Sequence, residues 1–264
     1  MKICVLVKEV PDAAVEKRMD PNTMKLDRSG EKNLNPFDTH AIEAAMQIKE
    51  GLPEGTVQEV VAVTMGPESA VRALHKAVSL GADRSVQLTD DALAGSDVCA
   101  SGYALAQVLK SEQPDLVLLG QQSDDGECYT MGAVVADHLQ MPSLTQVIQI
   151  DVSDSKLRCE RQAEYGYDTV EVELPAVISV GDAINEPRYP SLKAIMGAKK
   201  KQLDKLSAGD AQIEASRVGD EGSRTKVLAL NPPPAKEKGT IIEDEDTNET
   251  VDTIVKWLEE RKLI

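Results

Sequence analysis

Residues 3–7 and 116–119 are apolar without alternation, and residues 57–64 and 84–88 are further strand-like stretches. Runs of this length and kind are expected of strands buried on both faces of a parallel sheet. Between them, apolar residues recur at helical spacing. Ala41, Ile42, Ala45, Met46 and Ile48 form one stripe; Ala70, Val71, Leu74, Ala77 and Val78 form a second; Ala100, Tyr103, Ala104, Ala106 and Leu109 form a third. After residue 119 a polar loop intervenes, and Met131, Val134, Val135 and Leu139 again take helical spacing. Strand–helix units in series predict right-handed crossovers and a mostly parallel sheet with helices on both faces.

The pattern changes at Ser143. Residues 145–152, 156–163, 169–174 and 176–180 are strand-like pieces with no helix between them, joined at Asp154-Ser155 and Tyr165-Gly166-Tyr167. An antiparallel extension of the sheet is expected there. Residues 12–34 are polar and irregular, with a short hairpin predicted over 23–27.

Punctuation supports these elements. Asn35 is a natural cap, Pro36 suits the first helical position, and Asp38 complements the dipole of the helix that begins there. Met65-Gly66-Pro67 predicts a tight turn, Gly81 a helix end, and Gly95-Ser96-Asp97 another cap. The segment running Gly120-Gln-Gln-Ser123-Asp-Asp-Gly126-Glu-Cys-Tyr-Thr130-Met-Gly132 leaves the carboxyl end of a buried strand and enters a helix. Open α/β sheets bind ligands at such places, because the next helix offers free N–H groups and a partial positive charge to an anion. Hydroxyls of Ser123 and Thr130 suit a phosphate. A solvated turn that merely caps the helix is the alternative. The glycine spacing fits neither the Walker loop nor the G-x-G-x-x-G fingerprint.

After Val180, two prolines (Pro187, Pro190) keep the chain extended, and Leu192, Ile195 and Met196 follow beside Lys193, Lys199, Lys200 and Lys201. This is either a partner surface or a connection packed on its own domain. Residues 207–240 have no clear period, include Asn231-Pro-Pro-Pro234, and read as an extended tail. An acidic run over 243–249 precedes a terminal amphipathic helix over 250–264 with Val251, Ile254, Val255, Leu258 and Leu263 on one face. Such a helix, after a long tether, suits docking on another subunit, with packing back on the same chain as the alternative.

Composition then narrows the function classes. The 264 residues carry 29 Lys plus Arg against 45 Asp plus Glu, a net charge of −16. That surface repels nucleic acid and anionic membranes. Aromatic residues make up 3%, too few for a stacking face. Cys4, Cys99, Cys128 and Cys159 form no C-x-x-C pair, and reduced thiols in the cytoplasm are expected. The first apolar run is too short for a signal peptide or a membrane span. His40, His75 and His138 fall in predicted helices as surface or packing residues. Asp124 and Asp125 leave open a metal-dependent nucleotide hydrolase, and the fold leaves open a stand-alone adenine-nucleotide sensor.

In this order and spacing, Val7-Lys8, Asn35-Pro36-Phe37 before Ala41-Ile42-Glu43-Ala44-Ala45, Met65-Gly66-Pro67 and Leu80-Gly81-Ala82-Asp83-Arg84 form a specific set. Gly120-x-Gln122-Ser123 through Gly132, and Asn185-Glu186-Pro187-Arg188-Tyr189-Pro190-Ser191-Leu192 with Lys199-Lys200-Lys201, complete it. Over nearly its whole length the chain resembles the beta (small) subunit of electron transfer flavoprotein.

The resemblance implies an adenine nucleotide alpha-hydrolase-like α/β fold over residues 1–206, including a recognition loop at 182–201. It implies a C-terminal arm over 207–264 that packs on the alpha subunit. It further implies a buried structural AMP in this subunit and a FAD at the interface, held mainly by the alpha subunit. The AMP pocket carried over comprises Leu6, Asn35, Pro36, Phe37, Asp38, Met65, Ser123, Asp124, Asp125, Gly126, Glu127, Cys128, Tyr129, Thr130, Met131, Gly132, Ala133 and Val134. In the recognition loop the anchor is Leu192, with Tyr189, Pro190, Ile195 and Met196 around it. The implied partners are flavoprotein dehydrogenases such as acyl-CoA dehydrogenases as donors and a quinone oxidoreductase or another acceptor downstream. The subunit is then an electron carrier without catalytic residues of its own. Residues 124–129 depart from the Gly-Asp-Thr-Ala-Gln-Val-Gly-Pro run of bifurcating members, which hold a second FAD in place of AMP, so AMP is the expected ligand.

Overall fold

A computed structural model describes every residue except 154, 232, 233, 235–238, 240 and 243–246. The first strand, β1 (Lys2–Leu6), leads into an excursion carrying four short strands, β2 (Glu9–Pro11), β3 (Met19–Asp20), β4 (Lys25–Leu26) and β5 (Lys32–Leu34). β3 and β4 form a hairpin with its turn over 21–24, starting earlier than the one expected over 23–27, and β2 pairs with β5. Next come α1 (Pro36–Gly51), β6 (Glu59–Met65), α2 (Val71–Ser79), β7 (Arg84–Leu88), α3 (Val98–Glu112), β8 (Leu116–Gly120) and α4 (Met131–Leu139). β9 (Ser143–Ser153), β10 (Lys156–Ala163), β11 (Gly166–Glu173) and β12 (Ala176–Val180) follow, then α5 (Leu192–Ala198), β13 (Leu203–Leu206), α6 (Gly219–Gly222) and α7 (Thr247–Glu260).

The main sheet has the strand order β11-β10-β9-β12-β8-β1-β6-β7-β13. Its centre is parallel, and β9, β10 and β11 form the antiparallel extension. β12 departs from that expectation. It runs parallel to both of its neighbours, β8 and β9, because after the β11 turn the chain returns and inserts Ala176–Val180, buried on both faces, into the sheet. β13 pairs parallel with β7 at the far edge. Its four residues, half-buried or exposed, carry no apolar run to announce them.

Each central strand feeds two cores. Ile3 and Val5 of β1 face the cluster with Ile42, Met46, Leu74 and Val78 of α1 and α2. Cys4 and Leu6 face Tyr103, Leu109 and Val135 of α3 and α4. This is why the runs read as continuously apolar: both faces are covered, and each fully buried aliphatic side chain contributes about 1.5–3 kcal/mol. Burial pushes the Cys4 thiol up to about 12 and the Cys159 thiol to about 11, which leaves both unreactive.

The compact unit extends past the sequence-based boundary at 206, reaching Leu228. Ala208, Ala211, Ile213 and Val218 are buried in the α3-side core, the Glu214 N–H donates to Tyr103 Oη at 3.2 Å, and the Arg217 guanidinium lies 3.7 Å from the Tyr103 ring centroid. Small apolar residues spaced along an irregular stretch give no period to read, yet they cover a helix. A second unit runs Ala229–Ile264. In it α7 is amphipathic, with Val251, Ile254, Val255 and Trp257 exposed. Of the expected features, Asp154 of the first turn, Pro232 and Pro233 of the proline run, and 243–246 of the acidic run lie outside the described residues. No helix among the described residues is long and apolar enough to cross a membrane.

Candidate functional site

β1 is flanked by β8 on one side and β6 on the other, and the chain's strand order reverses direction there. At such a switch point the loops leaving adjacent strands part company and open a crevice at the carboxyl ends. A cavity of about 340 Å³ occupies this place. Leu6, Val7 and Lys8 line it from the end of β1, Val63 and Met65 from β6, and Leu119, Gly120, Gln121 and Gln122 from β8. Three helix beginnings also reach it: Asn35 and Asp38 of α1, Asp97 and Val98 of α3, and Met131 of α4. The first N–H groups of a helix have no partner within it, so this convergence favours an anion.

Asn35 organises the rim. Its side chain does not cap α1, as the sequence suggested. Instead Nδ2 donates to Asp38 Oδ1 at 2.8 Å and to the Gln122 carbonyl at 2.9 Å, while Oδ1 accepts the Asp124 N–H at 3.0 Å. Fully buried, Asn35 does more by tying the loop after β8 to α1 than by closing a helix end that Pro36 already suits. Asp38 likewise does more than complement a dipole. Its carboxyl accepts the backbone N–H of Lys8 at 2.8 Å and that of Gly120, joining the ends of β1 and β8. Burial pushes its pKa up to about 7 against the pull of these donors. The two elements approach so closely at Gly120 that a Cβ there would lie 2.7 Å from the Phe37 carbonyl carbon and 2.8 Å from Asp38 Oδ1.

The loop from Gln121 to Thr130 is held from outside by the excursion. Lys8 Nζ lies 2.7 Å from Asp125 Oδ1 and Arg28 Nη2 lies 2.7 Å from Oδ2, with the Asp125 side chain wholly inaccessible. Burial raises the Asp125 pKa, but Lys8 and Arg28 outweigh it and hold the carboxyl below its ordinary value. Lys17 Nζ pairs with Asp124 at 2.8 Å. These two carboxylates are therefore engaged by three cations, which argues against the metal-dependent alternative. Glu127 and Tyr129 take left-handed backbone conformations, with φ of 45° and 54°, so the loop doubles back on itself.

Of the residues carried over from the sequence, Leu6, Asn35, Asp38, Met65, Ser123, Gly126, Cys128, Tyr129 and Met131 line the cavity. The others surround it without lining it. Pro36 is exposed and Phe37 packs under Gly120; Asp124 and Asp125 face the excursion; Glu127, Thr130 and Ala133 are exposed. Gly132 is buried near Leu119 and Ser179, and Val134 packs near Gly102. Lys8 lines the wall too, as do Ser96 before α3 and Ser101 and Leu105 within it, a role that the sequence pattern does not announce. The cap signal at Gly95-Ser96-Asp97 marks the start of α3 but not its place in the wall, which depends on α3 crossing beside α4. Gln122 Oε1 is buried without a hydrogen-bond partner, an acceptor available at the wall.

Elsewhere, Leu192 is 81% exposed, Tyr189 94% and Met196 77%, while Ile195 is about half exposed. Pro190 is half-buried. The segment thus presents its apolar groups to solvent. His40 contacts Asn185, and His138 meets the Tyr103 ring edge-on at 5.7 Å.

Comparison with known proteins agrees with this architecture. The family described as "Electron transfer flavoprotein domain" matches residues 23–211. "Electron transfer flavoprotein subunit beta" of Mycobacterium tuberculosis (strain ATCC 25618 / H37Rv) is 40% identical over 265 aligned positions, covering 99% of each chain. The protein of the same name from Megasphaera elsdenii is 35% identical over 274 positions, covering both chains completely. "Caffeyl-CoA reductase-Etf complex subunit CarD" of Acetobacterium woodii is 37% identical over 266 positions, again with complete coverage of both.

Proposed function

The chain belongs to the electron transfer flavoprotein family as a beta subunit, and from that premise we propose that it holds AMP as a structural ligand in the cavity between β1, β8 and the starts of α1, α3 and α4. The observation that carries this is the convergence of three helix beginnings on a cavity of about 340 Å³. That volume is near the lower end of the roughly 300–1,000 Å³ usual for small-molecule sites, which suits a mononucleotide better than a dinucleotide. The residues present fit the group. Lys8, Ser123 and Ser101 offer donors, and Gln122 Oε1 offers an unmatched acceptor. Gly120 and Gly126 keep the backbone close. Binding there joins β1, β8 and α1, so the ligand's binding energy becomes folding and assembly energy.

FAD, when bound, supplies the one-electron chemistry and sits mainly on the alpha subunit. This chain shields it from the side opposite, with tyrosines as candidates for contact. The heterodimer takes electrons from flavoprotein dehydrogenases such as acyl-CoA dehydrogenases and delivers them to a quinone oxidoreductase or another acceptor. Residues 182–201 form the segment that recognises the donor, anchored by Leu192, and the unit from 229 onward packs on the alpha subunit. The chain itself contributes position and electrostatics.

A second reading puts another FAD where AMP is expected, and the similarity to CarD motivates it. The cavity volume and the sequence of residues 124–129 favour AMP. Mass spectrometry of the intact complex with its alpha subunit decides: one AMP and one FAD per heterodimer is expected, whereas two FAD and no AMP selects the second reading. A monomer with neither overturns both.

A further inference from the structure

From the end of β12 to the start of α5 the chain runs without a sheet partner. Residues 185–190 make no backbone-to-backbone hydrogen bond among the described residues, and Pro187 and Pro190 have no N–H to offer. Such a stretch, preceding a short helix with exposed Leu192 and Met196, has nothing local to fix it. The hydrogen bonds that do fix it all go to α1. His40 Nδ1 lies 3.0 Å from the Asn185 carbonyl oxygen, so that nitrogen carries the hydrogen, and Asn185 Nδ2 donates back to the His40 carbonyl at 3.0 Å. Arg188 then forks. Its Nε donates to Glu43 Oε2 at 2.7 Å and its Nη1 to Glu50 Oε1 at 2.7 Å, while Nη2 reaches Glu43 Oε1 at 3.2 Å and Glu50 Oε2 at 3.0 Å. The Arg188 backbone N–H also donates to Glu43 Oε2 at 3.2 Å.

Positions 40, 43 and 50 fall on one face of α1, the helix whose first turn lines the cavity. Glu43 is only 6% exposed, and Gln47 Nε2 donates to it as well. A buried carboxylate needs a cation to satisfy it, and here the cation comes from the segment that is itself without other support. The two requirements meet in one residue. Arginine suits this better than lysine, because its planar fork serves two carboxylates at once.

We propose that Arg188 is a positioning residue for docking of the electron donor: clamped on Glu43 and Glu50, it sets the pose of the Leu192-bearing segment on α1 before the donor arrives. The proposal rests on the reading of residues 182–201 as the recognition segment. Association with a pre-set segment does not have to order it, so the clamp acts on the apparent affinity and not on the electron-transfer step.

The test uses the heterodimer with FAD bound and a reduced flavoprotein acyl-CoA dehydrogenase as donor. Arg188→Lys keeps a positive charge beside buried Glu43 but loses the fork, and Glu50→Gln removes the exposed arm without touching the buried one. We expect KM for the dehydrogenase to rise about five- to tenfold in Arg188→Lys and about two- to threefold in Glu50→Gln, with kcat, flavin content and nucleotide content unchanged. The double variant is expected to be no worse than Arg188→Lys alone, since both act through one clamp. Leu192→Ala serves as the control. If it raises KM while both clamp variants keep the wild-type value, the proposal is overturned and the recognition reading stands. If Leu192→Ala itself leaves KM unchanged, the recognition reading falls and takes the proposal with it. A fall in kcat or loss of flavin in Arg188→Lys at unchanged KM marks a general structural role and also overturns it.

Discussion

Asn35 accepts the backbone N–H of Asp124 on its side-chain oxygen at 3.0 Å, across 89 positions of sequence. With its amide on Asp38 and the Gln122 carbonyl, this one buried side chain holds the loop after β8 against α1. Asn35→Ala leaves one buried and two part-buried groups short of a partner. Allowing for relaxation of the loop, this destabilises the chain by about 2–4 kcal/mol. The check is a urea unfolding midpoint together with proteolysis in residues 121–130, which is expected to quicken. An unchanged midpoint contradicts this role.

Asp38 makes stability depend on pH in a particular direction. Its pKa is raised from the ordinary 3.8 to about 7, so between those values the folded chain keeps a proton that the unfolded chain has released. The stability it contributes is complete below the ordinary value and is lost as pH rises through about 7, at up to ~1.4 kcal/mol per pH unit within that window. Asp38→Asn removes the proton equilibrium and with it this component of the slope, whatever it does to absolute stability. Denaturation curves taken from pH 5 to about 8 compare the two, and equal slopes exclude Asp38 as the source.

Gly120→Ala places a methyl group 2.7 Å from the Phe37 carbonyl carbon. Backbone cannot swing aside as a flexible side chain does, so α1 must shift from β8. Overpacking of this kind costs about 1–3 kcal/mol, and because α1 and β8 both line the cavity, bound nucleotide falls with it. The readouts are the thermal midpoint and AMP per heterodimer by mass spectrometry, and retention of both at wild-type values refutes the expected shift.

Leu192→Ala removes the most prominent aliphatic group of its segment, 81% exposed in this chain. If a donor protein buries it, about 1.5–3 kcal/mol is lost, roughly ten- to a hundredfold in donor affinity. Flavin and AMP content are expected to stay at wild-type levels. Unaltered electron-transfer kinetics with the dehydrogenase remove the anchor assignment.

Trp257 is the chain's one tryptophan and stands on α7, 45% exposed. If α7 docks on the alpha subunit with Trp257 in the contact, its indole leaves water. The difference in tryptophan emission between wild-type and Trp257→Phe heterodimers isolates its signal, which is expected to be blue-shifted and shielded from iodide relative to the free chain. A signal as open to quencher as in the free chain rules out docking through that face.

The parallel core was legible because its physics is local. Residues 3–7 and 116–119 are apolar on both faces, and the helices between carry stripes with caps such as Asp97, whose side chain accepts the Ala100 N–H as expected. The antiparallel pieces were legible too, but the placement of β12 was not, since a buried run reads the same whether its neighbours are parallel or antiparallel. At the cavity, the loop after β8 could be found from its glycine-bearing strand–helix junction. Lys8, Ser101 and Leu105 could not, because their membership depends on how β1 and α3 come together in space. Residues 207–228 have the sequence of a tail for a related reason: Ala208, Ala211 and Ile213 bury area without repeating a period.

Among the described residues the antiparallel strands β9 to β11 are bonded to the rest of the main sheet only through β12, and the Arg188-bearing segment departs from the carboxyl end of that same strand. Five residues, Ala176–Val180, are therefore hinge pin to a flap and root of an arm at once. Any sliding of this strand by a single position turns its side chains to the opposite faces, unseats the flap, and displaces the arm's origin by more than 3 Å. A register error in the middle of the sheet is thus felt at the surface, in the pose of Arg188 and Leu192.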